Sequence, residues 1–451
     1  MTALLWLRRD LRVHDHPALA AARRDAGALV PVFCFDDRLL HGRHASGPRT
    51  QFLLECLADL DESLRERGSR LVVRRGPPER ELPALARQTG ATAVHLSADV
   101  GPFARARDAR VASALAGVGV AVREHPGVFA VDDLSAIRTT AGGAYTVFTP
   151  FHRTWTRMPR RKRRGAPRSL PPFPQGVVPG TLPTLTDLGL RQEIEDPRCR
   201  GGERAGRTAM RDGSSPLSPY LHLGCISPRE LEHRLPDTGS GAAIRRQLCW
   251  RDFFAHVLLH HPHNARSEHQ ARYRGTIRWS RARKRFDAWC EGRTGYPLVD
   301  AGMRQLKREG WMDNRARLVV GSFLTKDLGI DWRWGERWFM RLLLDGDEAS
   351  NNGNWQWIAS VGVDPQPAFR RIYNPVLQQQ RFDPDGRYVR AYLPELARVP
   401  DSYLAEPWRM PPEEQQRAGC RIGQDYPAPI VDHKAARLAA LDRYRAAAAT
   451  G

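Results

Sequence analysis

An alternation of short apolar runs with amphipathic helical segments over the first 130 residues constrains the fold of this 451-residue chain more than any other feature. The runs at 3–7 and 29–35 are apolar and bounded by charge or glycine, which is typical of buried strands. Between them, residues 16–27 have an early proline and a final glycine, as helices do. The same alternation of helix and strand continues through 49–68, 70–76, 79–90, 93–99, 103–119 and 120–125. This pattern predicts a parallel, doubly wound α/β sheet.

The alternation stops near residue 130, and two different regions follow. Residues 131–195 are basic and rich in proline, which predicts a connector. For the segment 157–168, "RMPRRKRRGAPR", we favour a solvated linker over a direct phosphate contact. From residue 196, strand signals nearly vanish and helical periodicity dominates. We therefore expect an α/β domain at 1–130, the connector at 131–195 and an all-helical domain at 196–451.

Composition indicates the compartment and one class of partner. With 70 Lys and Arg against 50 Asp and Glu, the net charge is +20, which attracts polyanions such as nucleic acid. A GC-rich genome also produces arginine-rich proteins, so the charge needs a site to accompany it. The seven cysteines are widely spaced without a C-x-x-C, which argues against disulfides and metal centres. No apolar run approaches the roughly 20 residues of a membrane span, and no secretory signal opens the chain, so we expect a cytoplasmic protein.

The stretch "DGDEASNNGNWQW" at 345–357 concentrates polar and aromatic residues that no hydrophobic core requires. Asp345 and Asp347 precede a helical segment, and buried carboxylates need partners. Arg317 is a natural countercharge, and it shares a helix face with Asn314 three residues earlier. The alternative is a structural ion pair with ordinary helix caps. Because the acids, the two asparagines and the Trp-x-Trp pair occur together, we favour a functional site.

A second polar stretch, "SSPLSPYLHLG" at 214–224, precedes a helix that begins with proline. Hydroxyls and free backbone N–H groups at a helix start can hold a phosphate, although this signal alone is weak. Tryptophans are concentrated in the helical half, where most would fill the core. Some could provide aromatic faces on which unstacked bases stack.

Taken together, these stretches resemble the photolyase/cryptochrome family over essentially the whole chain. The motifs that carry the resemblance occur in the family's order: "WLRRDLRVHDHPAL", "SSPLSPYLHLG", "WRDFF", "GYPLVDAGMRQL", "GWMDNRAR", "DWRWGERWF", "DGDEASNNGNWQW" and "IYNPVLQQQRFD". Within the family, the chain is most similar to bacterial class I cyclobutane pyrimidine dimer photolyases. The resemblance implies an N-terminal antenna-binding α/β domain and an all-α domain that holds FAD.

The resemblance also implies which residues hold FAD. Asp345 and Asp347 would contact FAD, and Arg317 would pair with Asp345. Asn351 would lie beside flavin N5 and tune the reduced flavin. The loop at the flavin phosphates would comprise Ser214, Ser215, Leu217 and Ser218.

Further roles implied by the resemblance concern electron transfer and DNA. The chain of tryptophans that photoreduces the flavin would comprise Trp355, Trp332 and Trp279. A flipped-out lesion would lie between the aromatic rings of Trp250 and Trp357. The remaining contacts to the lesion or its DNA would come from Gln247, Arg251, Asn314, Arg315 and Gln378. The implied reaction is light-driven: an electron from excited reduced flavin splits the dimer and then returns.

Several positions depart from the family pattern. Enzymes that repair cyclobutane dimers usually carry Glu where this chain has Gln247, and glutamine there resembles (6-4) photolyases and animal-type cryptochromes. Leu318 replaces a usual methionine and Asp313 a usual histidine, yet the (6-4) histidine pair is also absent. Dimer repair is therefore our first expectation, with (6-4) repair and a blue-light photoreceptor as alternatives. The short tail after 433–438 favours repair over signalling. An arginine that contacts DNA would be Arg207 or Arg211.

The antenna chromophore is the second cofactor that the resemblance implies. The region of Phe103 and Ala104 lacks the acid of folate-type members, and the chain resembles deazaflavin-type members near the following residues: Arg9, Asp10, Asp36 and Asp99. We expect 8-hydroxy-5-deazaflavin in preference to methenyltetrahydrofolate, although His44 is a possible folate contact. The expected partner is DNA carrying UV lesions, bound by a monomer.

Overall fold

The computed structural model describes residues 1–213, 216–364 and 366–450. The chain divides into two compact units. Unit 1 comprises Met1–Gln192, Arg198–Ala265 and Leu344–Ser350, and unit 2 comprises Glu193–Pro197, Arg266–Leu343 and Asn351–Gly451. The domain boundaries expected from the sequence, at 130 and 195, stay a prediction.

Unit 1 contains a five-stranded sheet in which every pairing among the described residues is parallel. Its strands are β1 Thr2–Trp6, β2 Ala28–Phe35, β3 Val72–Arg75, β4 Ala91–Ser97 and β5 Ala121–His125. The strand order is β3-β2-β1-β4-β5. Apolar residues of the strands, such as Leu4, Trp6 and Val94, are at most 1% exposed and form one core with the covering helices. The predicted parallel, doubly wound sheet is confirmed.

The strand order places a crevice at the carboxyl end of β1. β1 pairs with β2 on one side and with β4 on the other. The connection after β1 therefore runs toward β2, and the connection after β4 runs in the opposite direction, toward β5. Arg9 and Asp10 follow β1, Asp36 follows β2, and Asp99 follows β4. This edge of the sheet therefore collects charged side chains from three loops.

Helices complete unit 1. They are α1 Pro17–Asp25, α2 Asp37–Leu40, α3 Gly47–Arg65, α4 Pro78–Thr89, α5 Pro102–Ala116, α6 Phe148–Arg157, α7 Glu203–Asp212, α8 Ser218–Leu223, α9 Pro228–Arg234 and α10 Gly239–His260. Of these, α1, α4 and α5 contact strands of the sheet.

Helix α6 lies inside the segment that the sequence predicts to be a connector. Its sequence, FTPFHRTWTR, has poor intrinsic helix propensity and no side-chain cap. Tertiary packing stabilises it instead: Phe148, Phe151 and Trp155 are buried, and the Trp155 indole N–H donates to Asp252 at 3.0 Å. This helix was missed because its stabilising contacts are distant in sequence.

Unit 2 is helical, as predicted. Its helices, together with one that begins at the end of unit 1, are α11 Arg283–Cys290, α12 Pro297–Glu309, α13 Asn314–Ser322, α14 Trp332–Leu342, α15 Glu348–Ile358, α16 Pro375–Phe382, α17 Arg387–Tyr392, α18 Asp401–Leu404, α19 Pro412–Ala418 and α20 His433–Thr450. A single π-helical turn, Phe323–Asp327, follows α13. No helix in the described part of the chain has the length and apolar character needed to span a bilayer.

Candidate functional site

The predicted phosphate loop and the first acid of the 345–357 stretch meet within unit 1. The Ser218 hydroxyl, at the first residue of α8, donates to Asp345 Oδ2 at 2.6 Å. Leu217 occupies the N-cap position of this six-residue helix. Ser214 and Ser215 lie outside the described residues. The structure therefore brings two parts of the predicted flavin site together, and their role in binding stays a prediction.

Asp347, the second acid, forms an ion pair that the sequence did not reveal. Arg9 Nη2 lies 2.5 Å from Asp347 Oδ2, and the two residues are 338 positions apart. Burial by itself would raise the pKa of Asp347, but the charges of Arg9, His222 and Arg251 hold it well below its usual value. Asp347 is consequently ionised, and its Oδ1 accepts the Ser350 N–H at 2.8 Å in the first turn of α15.

Arg9 connects this acid to the carboxyl edge of the sheet. Its Nη1 lies 3.6 Å from Asp99 Oδ2, and its Nε donates to the His222 carbonyl at 3.1 Å. From the sequence, Arg9 is expected near the antenna pocket. The structure shows that Arg9 also positions Asp347. In the sequence, the only indication of this contact is an arginine that follows β1 directly, where the strand order of the sheet reverses.

In unit 2, helix α15 places two predicted residues on one face. Asn351 and Trp355 are four positions apart, so their side chains lie one above the other. Asn351 is 9% exposed, and its Nδ2 donates to the Glu336 carbonyl at 3.0 Å. Trp355 is 3% exposed and packs edge-on against Phe339, with ring centroids 5.0 Å apart. A cofactor that contacts Asn351 from this face would therefore lie next to Trp355.

The other members of the predicted tryptophan chain also lie in unit 2. Trp332, at the start of α14, is fully buried with its indole N–H 3.4 Å from Glu268 Oε1. Trp279 is half-buried, and its ring centroid lies 6.4 Å from that of Tyr444. Trp289 was not among the predicted residues, although its ring centroid lies 6.2 Å from that of Trp355. Electron transfer through the predicted chain stays a prediction.

The predicted lesion contacts of unit 1 lie on α10. Gln247 is exposed and Trp250 half-buried, and a spacing of three places them on one face. The Trp250 ring stacks on Phe148 of α6, with centroids 3.6 Å apart and planes 3° from parallel. Arg251 donates to the carbonyls of Val128 at 2.8 Å and Leu221 at 3.2 Å, so its guanidinium is engaged inside unit 1. Its predicted contact with DNA is not tested by this geometry.

The predicted DNA contacts of unit 2 lie on α13 and α16. The Arg315 guanidinium lies over the Phe382 ring, 4.2 Å from its centroid. Gln378 lies four residues before Phe382 on α16 and so on the same face of that helix. Asn314 begins α13 directly after the cap residue Asp313.

Arg317 and Trp357 are predicted site residues with defined partners in unit 2. The Arg317 Nε donates to the Met312 carbonyl at 2.8 Å. The Trp357 ring lies under the Arg371 guanidinium, which is 3.2 Å from the ring centroid. Arg371 is itself paired with Asp364 at 2.6 Å, so the cation above Trp357 is held in place.

The residues expected near an antenna chromophore lie in unit 1. Asp36 pairs with Arg38 at 2.6 Å, and Arg38 in turn lies 5.9 Å from the Phe103 ring centroid. Burial and the nearby arginines lower the pKa of His44 to about 4. Asp10 and Ala104 are buried. The expected 8-hydroxy-5-deazaflavin stays a prediction.

Arg207 and Arg211 are the two candidates for the predicted DNA contact upstream of the serine loop. Arg207, in α7, pairs with buried Glu230 at 3.1 Å. Arg211 lies exposed in the last turn of the same helix. The exposed position leaves Arg211 the more accessible of the two, and its role stays a prediction.

The residues present fit a polar cofactor such as FAD. Asn351 and Asn352 are both buried, and Nδ2 of Asn352 has no hydrogen-bond acceptor among the described residues. Such a donor is costly inside a protein unless something accepts its proton. In unit 1, the Ser218 hydroxyl beside Asp345 offers further polar contacts.

Comparison with protein families assigns both halves of the chain. Residues 3–175 match the family described as "DNA photolyase", and residues 244–446 match "FAD binding domain of DNA photolyase". The chain is 41% identical to the "Deoxyribodipyrimidine photo-lyase" of Streptomyces griseus, over 96% of this chain and 97% of that protein. It is 39% identical to "Cryptochrome DASH" of Gloeobacter violaceus, over 96% and 93% respectively.

A solved structure agrees with this assignment. The crystal structure of a bacterial class III photolyase from Agrobacterium tumefaciens superposes with a TM-score of 0.91 at 35% identity. The match covers 99% of this chain and 97% of that one.

Proposed function

Because this chain belongs to the photolyase/cryptochrome family, we propose that it is a light-dependent enzyme that splits cyclobutane pyrimidine dimers in DNA. Support comes from relatives named deoxyribodipyrimidine photo-lyases, which match nearly the whole chain. The observation that carries the proposal is the single face of α15 that presents Asn351 and Trp355. That face joins a polar group suited to a flavin ring with a buried electron donor one turn away.

Bound and reduced FAD would supply the single electron that opens the dimer. In unit 1, we propose that Ser214, Ser215, Leu217, Ser218 and the two acids hold this cofactor. In unit 2, Asn351 would orient its ring, and Arg317 would contribute a compensating charge. The burial of Asn351 excludes water from the hydrogen bonds that it makes.

The protein would bind the damaged DNA with aromatic and amide groups. A flipped base needs a stacking surface, and Trp250 and Trp357 are proposed to provide it. Gln247, exposed on the same face as Trp250, can both donate to and accept from base edges. Asn314, Arg315 and Gln378 would contact the lesion or its backbone, whose phosphates the positive chain attracts.

A repair assay tests the proposed activity directly. Purified protein, reductant and an oligonucleotide with one thymine dimer are illuminated with near-ultraviolet or blue light, and restored thymines are measured by chromatography. We expect restoration in the light and none in an identical dark sample. A protein that carries FAD and binds the dimer but restores nothing would contradict dimer repair.

Substitution of Trp355 by Phe separates electron supply from repair. We expect W355F to photoreduce FAD at least about tenfold more slowly, because phenylalanine is a much poorer electron donor. Repair by enzyme reduced chemically beforehand should stay near the wild-type rate. Flavin absorbance measures the first step and the dimer assay the second. Equal loss of both would contradict the assigned role of Trp355.

A second candidate function has specific support. Gln247 departs from the usual glutamate, and a relative named cryptochrome DASH is 39% identical. These features favour (6-4) photoproduct repair or a blue-light photoreceptor that signals through a protein partner. A (6-4) oligonucleotide assayed in parallel distinguishes them. Repair of this lesion alone would support the first alternative, and repair of neither lesion by a loaded protein would support the second.

We propose further that the chain is a class I enzyme with an 8-hydroxy-5-deazaflavin antenna. The acid of folate-type members is absent near Phe103, whereas the similar solved structure is a class III photolyase. Mass spectrometry of the chromophores released from protein purified from a deazaflavin-producing host decides the antenna. Methenyltetrahydrofolate in place of the deazaflavin would contradict this proposal.

A further inference from the structure

A basic cleft of about 620 Å³ in unit 1 includes none of the FAD, lesion or antenna residues named above. It does include residues 160–163 of the segment 157–168, for which the sequence alone favoured a solvated linker over a phosphate contact. Its walls are the end of α6 with the segment that follows, helix α9, and the start of α10. We call it the α9 cleft. Its cationic lining residues are Arg160, Arg161, Lys162, Arg163, Arg229 and Arg245, against two acidic ones, Glu232 and Asp237. A cleft of this volume is large enough to receive a small ligand or one unit of a polymer.

Arg229 is the least exposed cation of the α9 cleft. It is 6% exposed, and its Nε and Nη1 have no hydrogen-bond acceptor among the described residues. Only its Nη2 donates, to the Arg161 carbonyl. Burying guanidinium N–H groups without acceptors is costly, and an anion entering the cleft would supply them. Arg229 therefore points to a ligand with negatively charged oxygens.

The other cations divide into two groups with different roles. Arg160 is paired with Glu232 at 2.9 Å, Arg161 with Asp15 at 2.8 Å, and Arg245 with Asp237 at 3.2 Å. The first two pairs are largely buried and help to hold the walls in place, whereas the Asp237 side chain is 95% exposed. Lys162 and Arg163 are exposed, and within the described part of the chain neither has an ion-pair partner. They leave two positive charges available at the cleft in addition to Arg229.

We propose that the α9 cleft binds a backbone phosphodiester of DNA away from the lesion. Guanidinium forks match phosphate oxygens, and such contacts position a protein on DNA without reading its sequence. The adjacent exposed cations Lys162 and Arg163, on a non-helical segment, together with Arg229 suit a chain of phosphates better than one free ion. The inference rests on the proposed function, because it takes DNA as the substrate.

The position of the cleft within unit 1 agrees with this assignment. Arg245 and Trp250 both lie on α10, five residues apart and therefore on different faces of the helix. The segment with Lys162 and Arg163 follows α6, whose Phe148 stacks on Trp250. The elements that position the predicted lesion contact thus also build the cleft.

The experiment compares salt dependence of DNA binding in the dark. Fluorescence anisotropy gives the affinity of wild type, R163Q and K162Q/R163Q for an undamaged duplex and for the same duplex with one thymine dimer, between 50 and 200 mM NaCl. The plot of log K against log salt should become less steep by about 0.9 per charge removed. The preference for damaged over undamaged DNA should stay unchanged, because phosphate contacts do not read the lesion. R87Q is the matched control, since Arg87 is an exposed arginine on α4, and its slope should equal that of wild type.

A second variant addresses the buried arginine. In R229M, the slope should fall by about one unit while the resistance to urea without DNA stays equal or rises, because a buried guanidinium with two nitrogens that lack acceptors has been removed. Loss of both stability and binding would assign Arg229 a structural role only. If R229M does not fold, the salt dependence of DNA binding by R163Q tests the proposal.

Other outcomes overturn the inference and are distinguishable. Slopes equal to wild type in R163Q and K162Q/R163Q would exclude a DNA contact. Calorimetry with inorganic phosphate alone, in wild type and K162Q/R163Q, identifies a free-phosphate site if binding is lost without any change in the DNA slope. Absence of light-dependent repair by wild type would contradict the proposed function. The salt slopes on undamaged DNA would still show whether the α9 cleft contacts DNA phosphates.

Discussion

At the scale of single residues, the clearest electrostatic feature is a buried histidine between two glutamates in unit 1. His14 Nδ1 lies 2.6 Å from Glu203, and His14 Nε2 lies 2.5 Å from Glu230. Burial alone would lower the pKa of His14, but the bonds to both carboxylates raise it above the usual value. The same contacts, with Arg234 and Arg207, outweigh the burial of Glu230 and lower its pKa to about 2. Each ring nitrogen of His14 thus contacts a carboxylate, which favours the charged imidazolium.

The pH dependence of stability follows from these shifts. The contribution of His14 is complete below its unfolded pKa of 6.5 and is lost as the pH rises through its higher folded pKa. The contribution of Glu230 is complete above its unfolded pKa of 4.5 and is lost as the pH falls toward about 2. The three residues therefore stabilise unit 1 most between pH 4.5 and 6.5.

We predict that H14Q lowers the free energy of unfolding by about 3 kcal/mol near pH 6, because it removes the cation that lies between two buried carboxylates and leaves Glu230 with Arg234 and Arg207 only. It should also remove the loss of stability that we expect of wild type as the pH rises above 6.5. Urea unfolding at a series of pH values measures both effects. D287N is the control, because the pair Arg283–Asp287 is exposed and contributes about 0–1 kcal/mol. An unchanged pH slope in H14Q would contradict the assignment.

At the scale of elements, close approach of helices in unit 2 fixes the orientation of Trp355. A Cβ at Gly335 of α14 would lie 2.1 Å from Cη2 of Trp355, and one at Gly321 of α13 would lie 3.7 Å from its Cζ3. Glycine at 335 is therefore required for α14 to approach α15 as closely as it does. The absence of a side chain at Gly335 leaves the space that the Trp355 indole, our proposed electron donor, occupies.

We predict that G335A destabilises the protein by about 1–3 kcal/mol, since the added methyl overpacks the interface between α14 and α15. Displacement of Trp355 should also slow flavin photoreduction. Urea unfolding and the rise of reduced-flavin absorbance under light measure the two effects. G165A provides the control, because nothing lies within 4 Å of a Cβ built there. Wild-type stability in G335A would show that the helices separate freely.

At the scale of the whole molecule, the seven cysteines share one environment. All are free and buried. Burial raises the pKa of the Cys199 thiol to about 12 and that of Cys420 to about 11. Because burial keeps reagents away from all seven sulfur atoms, none of these thiols should be available in the folded chain.

We predict that native protein reacts with a thiol reagent such as dithionitrobenzoate at fewer than about one site per chain within minutes, since burial excludes the reagent. After denaturation in guanidinium, all seven cysteines should react. Absorbance of the released thiolate measures both values. Rapid reaction of several native thiols would contradict the packing described for both units.

The sequence by itself determined the class of fold and the family. Strand and helix periodicities are local, so the five parallel strands and the helices between them could be predicted near their observed bounds. Polar signatures such as the 345–357 stretch persist in the sequence because hydrophobic packing does not require them. The DNA photolyase and FAD-binding family matches confirm the family that those motifs indicated.

Only the tertiary structure decided which distant residues meet. The pairing of Arg9 with Asp347 spans 338 residues, and helix α6 forms only because partners such as Asp252 bury its tryptophan. The α9 cleft likewise depends on Arg229 being buried beside a segment about 68 residues away. Burial and ion pairing depend on three-dimensional proximity, which local propensity does not encode, and these contacts therefore could not be predicted from the order of the residues.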